Sequence, residues 1–278
     1  MAPLLELGPY TFRAWAFVVS FGVVLSWALL VVRTTRLGYS APLVLLWVLF
    51  GFPMGTLAAS ALALLVELVV GTDPTSLAGR GGGMTALGAM VGCVVFSVLY
   101  IRLVFREPAG KLLDAVAFTY PLGLAIGRVG CLLHGCCFGA LAGPEVPGFL
   151  RMPVAWLHQD TDAGIYHRAT PDAWIWNLPL LFSLNAVVAL AMTEVLYARR
   201  RQLGLAPGVV LCAALLLEVS GRFALEFVRA PGQPPSTTVL GLNPWQSMAG
   251  LAAIVVALEL IRRQRTQRSG ASTIPAPL

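Results

Sequence analysis

The chain has 278 residues, of which 58% are hydrophobic and only 12% charged, with a net charge of +6. A soluble domain carries roughly a quarter charged residues, so this composition, with a mean hydropathy of +0.80, excludes a soluble globular protein and implies an integral membrane protein. Nor is the positive balance a nucleic-acid footprint, because basic residues gather at the ends of apolar runs and form no stripe with interleaved aromatics.

A spanning helix needs roughly 20 mostly apolar residues. The N-terminal MAPLLELGPY lacks a basic n-region and is not expected to be a cleaved signal peptide. The first expected span is Ala14 to Val32, closed by Arg33 and Arg36. Ala41 to about Val70 follows, then Gly81 to Ile101, then a short run from Ala115 to Gly127. Ala173 to Thr193, Leu203 to about Val228 and Val239 to Leu258 complete an all-α integral membrane protein with seven transmembrane helices.

Alternate connections carry Arg33 and Arg36; Arg102, Arg106 and Lys111; Arg199, Arg200 and Arg201; and Arg262, Arg263, Arg265 and Arg268. These are 12 of the 19 basic residues, all close to helix ends. The positive-inside rule then sets the C-terminus in the cytoplasm and the N-terminus in the periplasm. Residues 1–268 form a single membrane domain on this reading, with an outward-facing cap loop at 140–172 and a disordered tail at 269–278. The cap loop holds four prolines together with Trp156, His158 and His167.

Between the fourth and fifth spans, GRVGCLLHGCCFG (Gly127 to Gly139) sets four glycines, three cysteines, a histidine and an arginine into an otherwise aliphatic chain. An arginine at membrane depth is expensive, so Arg128 is a functional candidate. Cys131, His134, Cys136 and Cys137 admit three readings. Zinc sites draw paired ligands from two separated segments, and only one cluster exists here, so no metal is expected. A labile disulfide between adjacent thiols is a second possibility. Small, soft packing beside a functional arginine is the favoured one. The five cysteines are odd in number and do not form a secreted disulfide framework.

In LEVSGRFALEFVRAP, Glu218, Arg222, Glu226 and Arg229 recur at i, i+4, i+8 and i+11, one face of a helix with alternating sign. Such a stripe either neutralises itself between helices or leaves an arginine to meet an anionic headgroup bidentately, and the second is preferred. AGRGGGMTALGAMVG opens the third span. Arg80 beside Gly82 and Gly83 offers exposed amides to an anion, or else a tight helix contact.

In this order, a GGM segment, GRVGCLLHGCCFG, GRFALEFVR and a final GLNPWQ segment resemble the prolipoprotein diacylglyceryl transferase family, from about Arg13 to about Leu258. The resemblance implies transfer of a diacylglyceryl group from phosphatidylglycerol to the lipobox cysteine of a preprolipoprotein, with release of glycerol phosphate. It implies an inner-membrane location, and no cofactor. It makes Arg128 and Arg222 the phosphate-facing arginines, supported by Glu226 and Arg229, with Gly130, Cys131, Cys136 and Gly139 also in the substrate site.

The chain departs from the family where protons are handled. Leu87 stands at the family's histidine, Cys131 at its asparagine, Cys136 at its glutamate, and Trp15 near its first-span tyrosine. Histidine and carboxylate are the usual proton carriers, so His134 is a candidate replacement base. Cys131 or Cys136, activated by Arg128, is a candidate nucleophile. A transferase with another donor or acceptor, and a non-catalytic lipid-binding protein, are the other readings.

Overall fold

The computed structural model describes residues 4–7, 10–70, 86–135, 137–157, 162–230, 242 and 244–272. A hairpin of β1 (Leu4–Leu7) and β2 (Tyr10–Arg13) leads into α1 (Ala14–Arg36) and α2 (Ala41–Val70). Helix α3 (Ala86–Tyr100) ends in a π-turn, Ile101–Phe105, and is followed by α4 (Ala109–Val116) and α5 (Thr119–His134). The long connection contains β3 (Arg151–Pro153), α6 (Asp162–Tyr166) and β4 (Trp174–Trp176). Helices α7 (Leu178–Arg199), α8 (Val209–Leu225) and α9 (Pro244–Ser272) complete the described chain.

Among the described residues, five segments are long and apolar enough to cross a membrane: α1, Ala41–Leu65 of α2, Gly88–Phe105, Ala109–His134 and α7. This is a multi-pass, helical membrane protein. Helix α8 has 17 residues and carries Glu218 and Arg222, and the last turns of α9 are rich in arginine. Neither is among the five.

Several boundaries differ from the sequence expectation for local reasons. The fourth span begins at Ala109, because Pro108 fixes an extended entry before the helix. It continues through Arg128 to His134, so most of the glycine- and cysteine-rich stretch is helix. The fifth begins at Leu178 rather than Ala173, since Trp174–Trp176 pairs antiparallel with Arg151–Pro153. Asn177 caps it, its side chain accepting from the Leu180 amide at 3.3 Å. The sixth starts at Val209 because Gly204 and Gly208 hold positive φ, 55° and 91°. The expected starts of the third and seventh spans lie outside the described residues. Helix α9 runs to Ser272, and residues 273–278 lie outside the description.

Apolar burial does not drive helices together inside lipid, so close packing must. Gly22 on α1 faces Ile126 on α5, and an added Cβ would stand 3.0 Å from the Ile126 side chain. Gly123 and Gly130 of α5 return the contact, against Ser26 Oγ at 3.2 Å and the Trp15 carbonyl at 3.1 Å. Polar side chains on these helices bond their own backbone, as Ser26 to the Gly22 carbonyl at 2.8 Å and Thr34 to that of Leu30 at 2.8 Å. On the other side, α2 and α3 meet at Gly55 and Gly92.

At Gly92 an added Cβ would meet the Met54 carbonyl at 3.1 Å and collide with Ala58, whereas at Gly51 it would rest 3.6 Å from Phe96 in ordinary contact. Gly92→Ala is therefore expected to cost about 1–3 kcal/mol, the usual cost of overpacking, and Gly51→Ala much less. Thermal unfolding of both variants in detergent checks the difference.

Candidate functional site

Helix α5 stops at Gly135, whose φ of 71° lets its amide reach the Cys131 and Leu132 carbonyls. Cys137 also has positive φ, 58°, a conformation few non-glycine residues adopt. The chain then runs back as a short strand. Gly139 bridges Arg229, the Ala140 amide donates to the Val228 carbonyl at 2.9 Å, and the Trp176 amide donates to the Ala140 carbonyl at 3.0 Å. A side chain at Gly139 has no room, since a Cβ would sit 2.6 Å from the Trp176 carbonyl oxygen. The strand ties the end of α5 to the segment after α8 and to β4.

That segment is not helical to its end. Helix α8 finishes at Leu225, Glu226–Val228 form a 3-10 turn, and Arg229 is extended with φ −74° and ψ 146°. The sequence expectation of one helix face from Glu218 to Arg229 is therefore corrected. Ala230 precedes Pro231, and a residue before proline is pushed out of the helical region, which keeps the end of this segment from resuming the helix.

The arginines nonetheless converge. Phe182 of α7, fully buried, receives the Arg128 guanidinium 4.4 Å from its ring centre and that of Arg222 at 5.7 Å. Arg222 Nη2 lies 3.5 Å and Arg229 Nη1 3.3 Å from Glu226 Oε1, with the Glu226 side chain fully buried. Neither contact is a hydrogen bond, and among the described residues both Glu226 oxygens, Arg128 Nε and Arg229 Nε have no hydrogen-bond partner. Arg128 Nη1 instead reaches Cys137 Sγ at 3.6 Å. Glu218 accepts from Asn185 Nδ2 at 3.0 Å, in space left by Gly221, where a Cβ would strike the Asn185 amide. Among these described groups, three guanidinium ions meet two carboxylates, leaving one positive charge and donors that an anion would satisfy.

Of the other expected site residues, Gly130 packs on the Trp15 backbone, and His134 lies against the Trp15 ring with centroids 5.6 Å apart. Cys131 falls one turn after Arg128 on α5. Arg80, Gly82, Gly83, Cys136 and His158 lie outside the described residues, as does the side chain of Leu87. Phe182 and Asn185 were not anticipated. Asn185 had a signal, being a polar residue inside an apolar span; Phe182 had none.

The described parts of the connection, 140–157 and 162–172, pack on an apolar cluster in which Met152, Val154, Leu157, Ala163 and Ile175 join Phe138 and Ala230. His167 is buried there, with Nε2 3.3 Å from the Gly139 carbonyl and its ring against Phe138 and Tyr166. Burial pushes its pKa below the ordinary value, only partly offset by the Gly139 carbonyl. The unfolded chain then takes up a proton that the folded one resists. Stability is full above about pH 6.5 and declines as pH falls toward the lower folded value. Thermal melts between pH 5 and 7 are expected to show this slope in the wild type and to lose it in His167→Gln. Glu226→Ala, which leaves buried arginines without their carboxylate, is expected to cost about 3–5 kcal/mol, read from unfolding in detergent.

Residues 3–262 match the family described as prolipoprotein diacylglyceryl transferase. A protein of Dehalococcoides mccartyi named phosphatidylglycerol–prolipoprotein diacylglyceryl transferase is 30% identical over 189 residues, covering 68% of this chain and 64% of its own length. One of the same name from Nitrobacter hamburgensis is 26% identical over 269 residues, covering 91% and 87%. Another, from Chromohalobacter salexigens, is 26% identical over 257 residues, again covering 91% and 87%. With its family match running almost end to end, the chain belongs to the prolipoprotein diacylglyceryl transferase family.

Proposed function

We propose that this protein is a membrane transferase that moves a diacylglyceryl group from phosphatidylglycerol to the lipobox cysteine thiol of a preprolipoprotein and releases glycerol phosphate. The observation that carries the reading is the surplus positive charge of Arg128, Arg222 and Arg229 over Glu218 and Glu226, with Arg128 and both carboxylates buried and Arg128 and Arg222 on the Phe182 ring. A phosphodiester supplies the missing negative charge and acceptors for planar guanidinium forks.

Arg128 and Arg222 hold the phosphate, while Glu226 and Arg229 fix Arg222 from behind. The acceptor sulfur attacks the glyceryl carbon that bears the phosphate ester. A carbon–sulfur bond forms as the carbon–oxygen bond breaks, and the electron pair leaves with glycerol phosphate. Charge grows on that leaving oxygen, and fixed guanidinium groups stabilise it most there. The acceptor gives up its proton to His134 in this scheme, across the end of α5.

The seven-span topology belongs to the same proposal, with the N-terminus periplasmic, the C-terminus cytoplasmic and the 140–172 connection forming an outer cap over the site in the bacterial inner membrane. It rests on the alternation of basic residues along the chain.

A second reading keeps the scaffold and donor but changes the acceptor. Leu87, Cys131 and Cys136, standing where the family has histidine, asparagine and glutamate, favour it.

Purified protein given phosphatidylglycerol labelled in its glycerol headgroup and a lipobox peptide is expected to release labelled glycerol phosphate and to add a diacylglyceryl mass to the peptide. Arg222→Gln is expected to lower the rate about 100-fold or more. Headgroup release without peptide modification selects the second reading. No release, with another family member active in parallel, overturns transferase activity and leaves lipid binding alone.

A further inference from the structure

Apart from the arginine cluster, three segments line an open cavity of about 520 Å³. The turn after α1 brings Leu37 and Tyr39, α4 brings Lys111 and Leu112, and the exit of α7 brings Tyr197, Arg200 and Arg201. Its charges are unbalanced. The one carboxylate in the lining, Asp114, is occupied by the Gly208 and Leu211 amides at 2.7 and 2.9 Å. Nearby Glu107 takes the Tyr39 hydroxyl at 2.6 Å. Among the described residues, Lys111, Arg200 and Arg201 have no carboxylate partner.

Arg200 is also pre-positioned. Its guanidinium lies 3.7 Å from the centre of the Tyr197 ring, whose surroundings include Arg33 at 4.1 Å, itself paired with Glu194 at 2.7 Å. The neighbouring cavity differs in this respect. There Arg262 and Arg263 share the Glu259 carboxylate at 2.6 and 2.7 Å, whereas among the described residues Lys111, Arg200 and Arg201 pair with none. A concave surface with three unneutralised cations, two phenol rings and leucines on its walls suits a ligand that is anionic at one end and apolar at the other. Basic pockets between helices at a membrane surface hold lipid phosphates in this way.

The geometry points to a second phosphate-lipid site, separate from the arginine cluster on Phe182, in which Lys111, Arg200 and Arg201 bind the headgroup of an anionic phospholipid from the leaflet at this end of the bundle. Its apolar walls receive the first methylenes of the chains. The site takes a lipid that remains bound rather than one that reacts, since the carboxylate in its lining, Asp114, is already held by two backbone amides.

The test is native mass spectrometry of full-length protein released from nanodiscs of phosphatidylcholine with one-tenth phosphatidic acid, a lipid without a glycerol headgroup. Wild type is expected to retain phosphatidic acid, and Lys111→Gln with Arg201→Gln to retain on the order of tenfold less. Arg102→Gln with Arg106→Gln removes the same charge from exposed positions near this end and is expected to retain it as wild type does. Arg222→Gln reports any share held by the arginine cluster. Equal loss in the two double variants, or loss confined to Arg222→Gln, overturns the site. Displacement of the lipid by millimolar inorganic phosphate overturns the lipid assignment in favour of a free-anion site. Size-exclusion profiles matching wild type establish that the variants fold.

Discussion

Burying more guanidinium than carboxylate is the constraint on which the rest of this structure depends. An arginine inside the membrane costs several kilocalories per mole unless it is paired, stacked or met by a ligand. Here the offset is incomplete by construction. Phe182 supplies a quadrupole to two of the cations, and Glu226 is shared between Arg222 and Arg229 as an ion pair without a hydrogen bond to either. Asn185 holds Glu218 in a fixed direction. Each device steadies the cluster, and none completes it.

That arrangement demands a rigid frame, since flexible helices would let the cations drift apart. The frame is built from absent side chains. Gly22, Gly123 and Gly130 bring α1 against α5 closely enough for Trp15 backbone to touch the helix that carries Arg128. Gly221 admits Asn185 between α7 and α8. Small residues of this kind commonly set helix contacts in lipid, and here they set the spacing of charges too.

Much of the architecture is legible in sequence because the bilayer imposes a simple code of long apolar runs and arginine at their ends. The starts of helices are less so. Trp174, Ile175 and Trp176 are as apolar as any span, yet they pair with Arg151–Pro153, because strand partners distant in sequence leave no mark in local hydropathy. The site shows the same division. Arg128, Arg222, Glu226 and Arg229 stand out as ions among aliphatic residues, and the structure brings them together. Phe182 looks like any core aromatic, and only its position between two guanidinium groups distinguishes it. The helix face drawn from Glu218 to Arg229 fails after Leu225, where the backbone tightens into a 3-10 turn and Arg229 is extended.

The short strand at Gly139 has a mechanical consequence. Arg128 and Arg222 ride on helices, but Arg229 is carried on extended backbone paired to the strand that leads into the 140–172 connection. A displacement of that connection acts on Arg229 directly through its bridge to Gly139, and reaches Arg128 and Arg222 only through Cys137 and Glu226. The charge felt at the centre of the cluster is thereby geared to the position of a segment that itself carries none of the three cations.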